Sequence, residues 1–188
     1  KPHWPVEGTI DQPLFYADQE KEFQYYALQF NREVEAMQEG FDNIPYVRVD
    51  FGRVPWLLAI AFGCEPIDMD NLINVKSLCP SVEEALKQCP GNDIFERGFY
   101  PEIDRRMRLL EERFGPLPFI PSDLQSPIDV ATQIVDTQAF LLSLYDDPRP
   151  VHELLEILSD YTVRIGRGQR NSVKNWIGYG HDYPLPGG

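Results

Sequence analysis

The chain has 188 residues, 43% of them hydrophobic and 25% charged, which is enough for one domain with a substantial core and unlike the composition of a disordered chain. Its net charge of −13 argues against a general binder of nucleic acid or of anionic membranes, since either needs clustered Lys and Arg. The longest apolar run, WLLAIAF, is too short to span a bilayer, and no basic segment followed by an apolar one opens the chain, so a cytosolic protein is expected.

Residues 1–17 are rich in Pro and aromatics without periodicity and read as an irregular arm. Over 18–39, Phe23, Tyr26, Phe30, Val34 and Met37 recur at threes and fours before Gly40, which predicts a long amphipathic helix. IPYVRVD then alternates, with Val47 and Val49 on one face and Arg48 and Asp50 on the other, as in a strand. An apolar helix around 56–62 stops at Gly63, and INVK within 64–80 has extended character. Ser81 and Glu84 form a capping-box pattern for a short helix that ends near Cys89 and Pro90. Pro101 opens a helix whose Ile103, Met107, Leu110 and Phe114 share a face before Gly115.

Phe119 and Ile120 read as a strand that leads through a polar loop into a helix over 127–145. Ser126 is placed to cap that helix, Pro127 suits its first position, and Asp129 adds negative charge to its first turn. Asp147 and Pro148 start another helix with Leu154, Leu155, Ile157 and Leu158 on its apolar side, weakened toward its end by Gly166 and Gly168. Long helices between short strands predict an α/β fold, and the right-handed crossover rule makes its strands parallel. The chain starts at Lys1 without Met and stops in the loop HDYPLPGG, so a segment of a longer protein is expected. The three cysteines, Cys64, Cys79 and Cys89, are odd in number and lack C-x-x-C spacing, which predicts buried thiols in place of a disulfide framework or a zinc clip.

Three stretches, VRVDFGRVPWLLAIAFGCEP, GFYPEIDRRMRLLEERFG and SDLQSPIDVATQIVDTQAFLLSLYDDPRPVHELLEIL, occur in an order and spacing that resemble the uroporphyrinogen decarboxylase superfamily, which includes the cobalamin-dependent (corrinoid) methyltransferases. The resemblance covers most of residues 41–165 and implies part of a (β/α)8 TIM barrel, with a helix-rich N-terminal portion and the active site at the carboxyl ends of the strands. It divides the chain into an N-terminal arm and helix over 1–40 and the first βα units over 41–188, within one domain segment. A complete barrel averages about 250 residues, so half of one is the natural inference. Such a piece on its own would leave strand edges unpaired, which predicts aggregation or pairing with a second copy as a homodimer.

Residues 1–40 lack the arginine-rich M-R-Q-A-G-R-Y signature of the decarboxylases, and Gln133 stands where they carry Tyr. These departures place a methyltransferase-like activity on a corrinoid, thiol or tetrapyrrole-type substrate ahead of true porphyrinogen decarboxylation, a lyase reaction. A non-catalytic barrel-type binding protein is the reading from another class. The methyltransferase branch implies zinc and a corrinoid as cofactors, with a small-molecule substrate and a corrinoid protein as partners, and neither nucleic acid nor membrane. Its zinc ligands, an H-x-C pair and a distant Cys, fall beyond this stretch, so the metal ligands stay unassigned.

Asp50 matches the acidic residue that the decarboxylases direct at pyrrole N–H groups and is the expected catalytic residue, with Arg48 beside it for substrate binding. Their alternative is an ion pair inside the barrel. Arg53, in the next loop, suits an anionic substrate group or open solvent. Ser122, Asp123 and Gln125 form a polar loop at a strand end, placed to contact substrate or to satisfy backbone donors in the turn. His181, in a later loop, suits substrate or metal but has no partner at ligand spacing, and His152 falls on a helix surface.

Overall fold

The computed structural model describes residues 19–42, 44–49, 56–69, 72–115, 117–120, 122 and 124–177. These divide into two compact units, one formed by the described residues of 19–49, 107–120 and 173–177, the other by those of 56–106 and 122–172.

In the first unit, helix α1 (Gln19–Gln38) presents Tyr26, Phe30 and Val34 to the core at the predicted spacing. Strand β1 (Val47–Arg48) runs parallel to β4 (Phe119–Ile120), with Val47 opposite Phe119 and Arg48 opposite Ile120. Phe119 also forms a parallel bridge with Trp176, through Phe119 N–H to Asn175 C=O at 2.9 Å and Ile177 N–H to Phe119 C=O at 3.0 Å. Three extended segments from separate parts of the chain therefore lie side by side and point the same way. Phe119 is the fully buried centre of this sheet. The strand expected over 44–50 is shorter than its alternation suggests, because β4 offers only two residues to pair with.

The second unit is built on helices. Helix α2 (Leu57–Phe62) leads to an antiparallel hairpin of β2 (Glu65–Met69) and β3 (Leu72–Lys76), an ordered element where the sequence shows only weak extended character. Two-stranded hairpins expose both edges, and a row of free donors there invites pairing with another chain. At the Pro66–Val75 pair neither strand offers one: Pro66 has no N–H, and Val75 N–H is held by Asn74 Oδ1 at 2.8 Å. Helix α3 (Val82–Lys87) is capped by Ser81 as expected, Oγ accepting from Glu84 N–H at 3.3 Å. A 3-10 turn (Gly91–Glu96) precedes helix α4 (Tyr100–Phe114).

At the start of α4, Glu102 receives Arg105 through two hydrogen bonds of 2.6 and 2.5 Å and Arg106 Nε through one of 2.8 Å. The Arg105 hydrogen bonds, with Arg106 adding to them and burial opposing, bring the Glu102 carboxyl down from 4.5 to about 2. A carboxyl whose folded pKa lies below its unfolded one stabilises the fold above the unfolded value, and that gain fades as pH falls through the folded value. The stability difference between wild type and Glu102→Gln is therefore expected to be full at neutral pH, to shrink below about 4.5 and to vanish near 2, as urea titrations across that window would measure.

The helix expected over 127–145 is two helices, α5 (Pro127–Ile134) and α6 (Thr137–Asp146). Val135 turns extended to bridge Cys79, Ile134 C=O accepts from Leu78 and Cys79 N–H at 2.9 Å each, and Asp136 N–H donates to Cys79 C=O at 2.9 Å. Asp136 then caps α6, accepting from Ala139 N–H at 3.0 Å. A tertiary bridge thus breaks a helix that apolar periodicity alone continues, and an Asp at the break restarts it. Helix α7 (Pro148–Ser172) is longer than expected and passes through both glycines, its buried seam running Val151, Leu154, Leu158, Tyr161, Ile165 and Gln169. Glycine at 168 makes room for Phe95, whose ring carbon would lie 3.1 Å from an added Cβ.

Candidate functional site

In a parallel α/β sheet, the loops at the carboxyl ends of the strands are where binding groups converge. In this chain those ends are Arg48 on β1 and Ile120 on β4, register partners in the first unit. The predicted alternation holds there: Val47 and Val49 are buried and Arg48 is half-buried. Asp50, Arg53, Asp123 and His181 lie outside the described residues.

In the second unit, the loop toward α5 opens on Ser122, which is 1% exposed. Its N–H donates to Gln169 Oε1 at 3.0 Å, and Gln169 Nε2 donates back to Ser122 Oγ at 2.5 Å. Both hydrogen-bonding functions of the Gln169 amide are thereby used on one residue, which anchors the head of the loop. Gln169 was not singled out in the sequence, although a signal for it exists: it is a polar residue at a seam position of an otherwise apolar stripe, four residues after Ile165.

Gln125, half-buried, accepts from Gln133 Nε2 through its Oε1 at 2.7 Å. Gln133 Oε1 is buried and has no hydrogen-bond partner, so this amide presents an unmet acceptor beside the loop. A buried acceptor in that state costs roughly 1–3 kcal/mol unless something donates to it. Gln125 and Gln133 are thus brought together, and Ser122 is bound by α7. Ser126 fills its expected role, capping α5 through Asp129 N–H at 3.3 Å.

These two strands, parallel and joined by intervening helices, define the fold closely enough to compare. The fold is similar to that of a methyltransferase from Methanosarcina mazei. The two match with a TM-score of 0.66 at 16% sequence identity, over 89% of this chain and 49% of that one. This chain therefore spans about half the length of that methyltransferase. No protein-family model and no curated protein matches the chain. Among the described residues no closed barrel forms, the sheets being two-stranded with single-residue bridges at their margins. No helix among them is long and apolar enough to cross a membrane.

Zinc is the metal that the methyltransferase resemblance implies. Among the described residues no group of three or more His, Cys, Asp or Glu is gathered to hold a metal ion. The cysteines match the expectation of quiet thiols. Cys64 and Cys79 are buried, and burial pushes the Cys64 thiol up to about 11 and raises Cys79 and the half-buried Cys89 as well. Thiols held protonated are poor nucleophiles, and with no such group gathered the described residues present no ligand set for zinc. His152 is exposed on α7, as expected.

A groove of about 410 Å³ lies elsewhere in the second unit, between the 3-10 turn and α7. Its polar groups are turned on one another: Tyr161 Oη accepts from Gly91 N–H at 2.9 Å, and Arg164 reaches Asn92 at 3.3 Å and Asp160 at 3.5 Å. Arg164 also sits 5.5 Å from the Phe95 ring centroid and 5.9 Å from that of Tyr161. That arrangement ties the 3-10 turn to the helix.

Proposed function

We propose that this chain is part of a methyltransferase-like enzyme of the uroporphyrinogen decarboxylase superfamily, built on a (β/α)8 barrel and acting on a corrinoid and a thiol or on a tetrapyrrole-type substrate. The observation that carries the reading is the parallel run of segments at Val47–Arg48, Phe119–Ile120 and Trp176 in a fold similar to that of a methyltransferase. The segment resemblances in the sequence supply the superfamily.

In this reading the substrate is received at the carboxyl ends of the strands. Asp50, which follows β1 in the chain by two residues, takes a proton or holds an N–H donor of the substrate. Arg48 and Arg53 meet anionic groups, and Asp123, Gln125 and His181 supply polar contacts from the later loops. Ser122, bound by Gln169, positions the loop that carries Asp123 and Gln125. The unmet acceptor on Gln133 Oε1 gives the same loop an amide that a substrate N–H or O–H satisfies.

The test uses the full-length protein with methylcobalamin as methyl donor and a simple alkyl thiol as acceptor, following loss of the methylcobalamin absorbance. Asp50→Asn is expected to slow turnover by on the order of 10²-fold or more while the melting temperature stays put. Methyl transfer undiminished in Asp50→Asn removes that residue from the site. Decarboxylation of a uroporphyrinogen without methyl transfer selects the lyase reading. A folded protein with neither activity is a binding protein on the same scaffold.

A further inference from the structure

Gln125 and Gln133 meet through one hydrogen bond, from Gln133 Nε2 to Gln125 Oε1 at 2.7 Å. Two facing amides can close a ring of two such bonds, each donating to the other, and this pair leaves the ring open. Gln133 Oε1 is buried without a partner, and Gln125 Nε2 has no partner among the described residues either. An acceptor and a donor therefore flank a single hydrogen bond with nothing to pair with. Turning both amides over exchanges the two roles and leaves the same two groups open.

Both side chains start from fixed ground. Gln133 neighbours Val130, Ala131 and Ile134 on α5, all fully buried, and its C=O accepts from the Cys64 thiol at 3.8 Å. Gln125 lies between Ser122, which Gln169 holds, and Ser126, which caps α5. A polar pair anchored at both ends is preorganised and loses little freedom when a ligand binds it.

A group that satisfies both open positions carries an N–H and a C=O side by side. A primary carboxamide does so, its N–H donating to Gln133 Oε1 and its C=O accepting from Gln125 Nε2. An ionised carboxylate only accepts, and it sets its lone pairs against those of Gln133 Oε1. We propose, and this rests on the methyltransferase-like reading, that Gln125 and Gln133 form a subsite for a primary carboxamide on the rim of a corrinoid. Corrinoids bear such carboxamides around the macrocycle. Uroporphyrin-type tetrapyrroles bear carboxylates there, and their pyrrole N–H groups have no acceptor beside them. A buried acceptor discriminates strongly against a ligand that brings it no donor, because the mismatch leaves it unpaired.

Titration calorimetry of the full-length protein with methylcobalamin and its monocarboxylic acids, each with a different rim carboxamide hydrolysed, is the test. The monoacids share one charge, so differences among them report position alone. One is expected to bind wild type at least about tenfold more weakly than the others. Gln133→Met should erase that difference and weaken methylcobalamin by about tenfold. Gln125→Glu keeps an acceptor for Gln133 Nε2 but replaces the open N–H with an oxygen, so it should weaken methylcobalamin similarly; should Gln133→Met fail to fold, this variant carries the test. Monoacids that all bind alike overturn the subsite, as does a preference that survives both substitutions, since Gln133 Oε1 is then met by water. In those two outcomes methylcobalamin still binds and the methyltransferase-like reading stands. Methylcobalamin that does not bind at all removes the corrinoid from that reading and overturns the subsite with it.

Discussion

Gln169→Leu is expected to lower the stability of the chain by about 2–4 kcal/mol, a drop of roughly 5–15 °C in melting temperature. The reason lies in what the substitution leaves behind. Ser122 is 1% exposed, and its N–H and Oγ are both satisfied by the one amide of Gln169, at 3.0 and 2.5 Å. Leucine fits the seam of α7 and adds apolar burial, but it strands two polar groups where water does not reach. Each stranded group costs about 1–3 kcal/mol, against about 1 kcal/mol gained from the added apolar surface. Ser122→Ala in the Gln169→Leu background should recover part of the loss by removing one of the two orphans, so the pair is coupled and the double-mutant cycle reads the coupling. Thermal melts of the four proteins decide it. A Gln169→Leu protein within about 0.5 kcal/mol of wild type would mean that this pairing does not close the loop.

That pairing also shows where sequence reading reaches and where it stops. Phe119–Ile120, the polar loop and the Ser126 cap are legible because each is set by neighbours within four residues: a β-prone pair, a turn cluster, a hydroxyl before proline. Parallel pairing was legible for β1 and β4, where helices lie between short strands, whereas the antiparallel β2–β3 hairpin departs from the expectation of parallel strands. What Ser122 does was open between turn and site, since its partner lies 47 residues away and only the packed helix brings Gln169 to it. The break at Val135 was missed for the same reason. Ile134 C=O is claimed by Leu78 and Cys79, and no local pattern in ATQIVDTQ announces a partner more than fifty residues upstream. Asp136 was the available hint, a capping residue set inside an apolar period. Arg48 follows the alternation read from the sequence, half-buried between the buried Val47 and Val49. The Gln125–Gln133 pair joins residues eight apart, and the sequence drew attention to each of them separately but not to their contact.

Gly98→Ala is expected to cost about 2–5 kcal/mol, through two independent effects. The backbone at Gly98 has φ of +57°, left-handed territory where a Cβ meets the following carbonyl, which accounts for about 1–2 kcal/mol. The larger effect is external. A Cβ at this position would lie 3.0 Å from the backbone nitrogen of Ala61 and 3.1 Å from its Cα, and 3.3 Å from its Cβ. Ala61 is 2% exposed on α2, so the atoms in the way belong to a buried helix backbone and not to a side chain that can swing aside. The turn before α4 must back away from α2, and overpacking of that kind costs about 1–3 kcal/mol. Gly115→Ala separates the two effects: its φ is +81°, and an added Cβ there meets nothing within 4 Å. It should therefore show only the backbone cost of about 1–2 kcal/mol. Equal losses in the two variants, measured by urea denaturation under the same conditions, would mean that the close approach of Gly98 to α2 contributes nothing. A Gly98→Ala loss at least twice that of Gly115→Ala is the result the geometry requires, because only at Gly98 does a second helix occupy the space that the side chain needs.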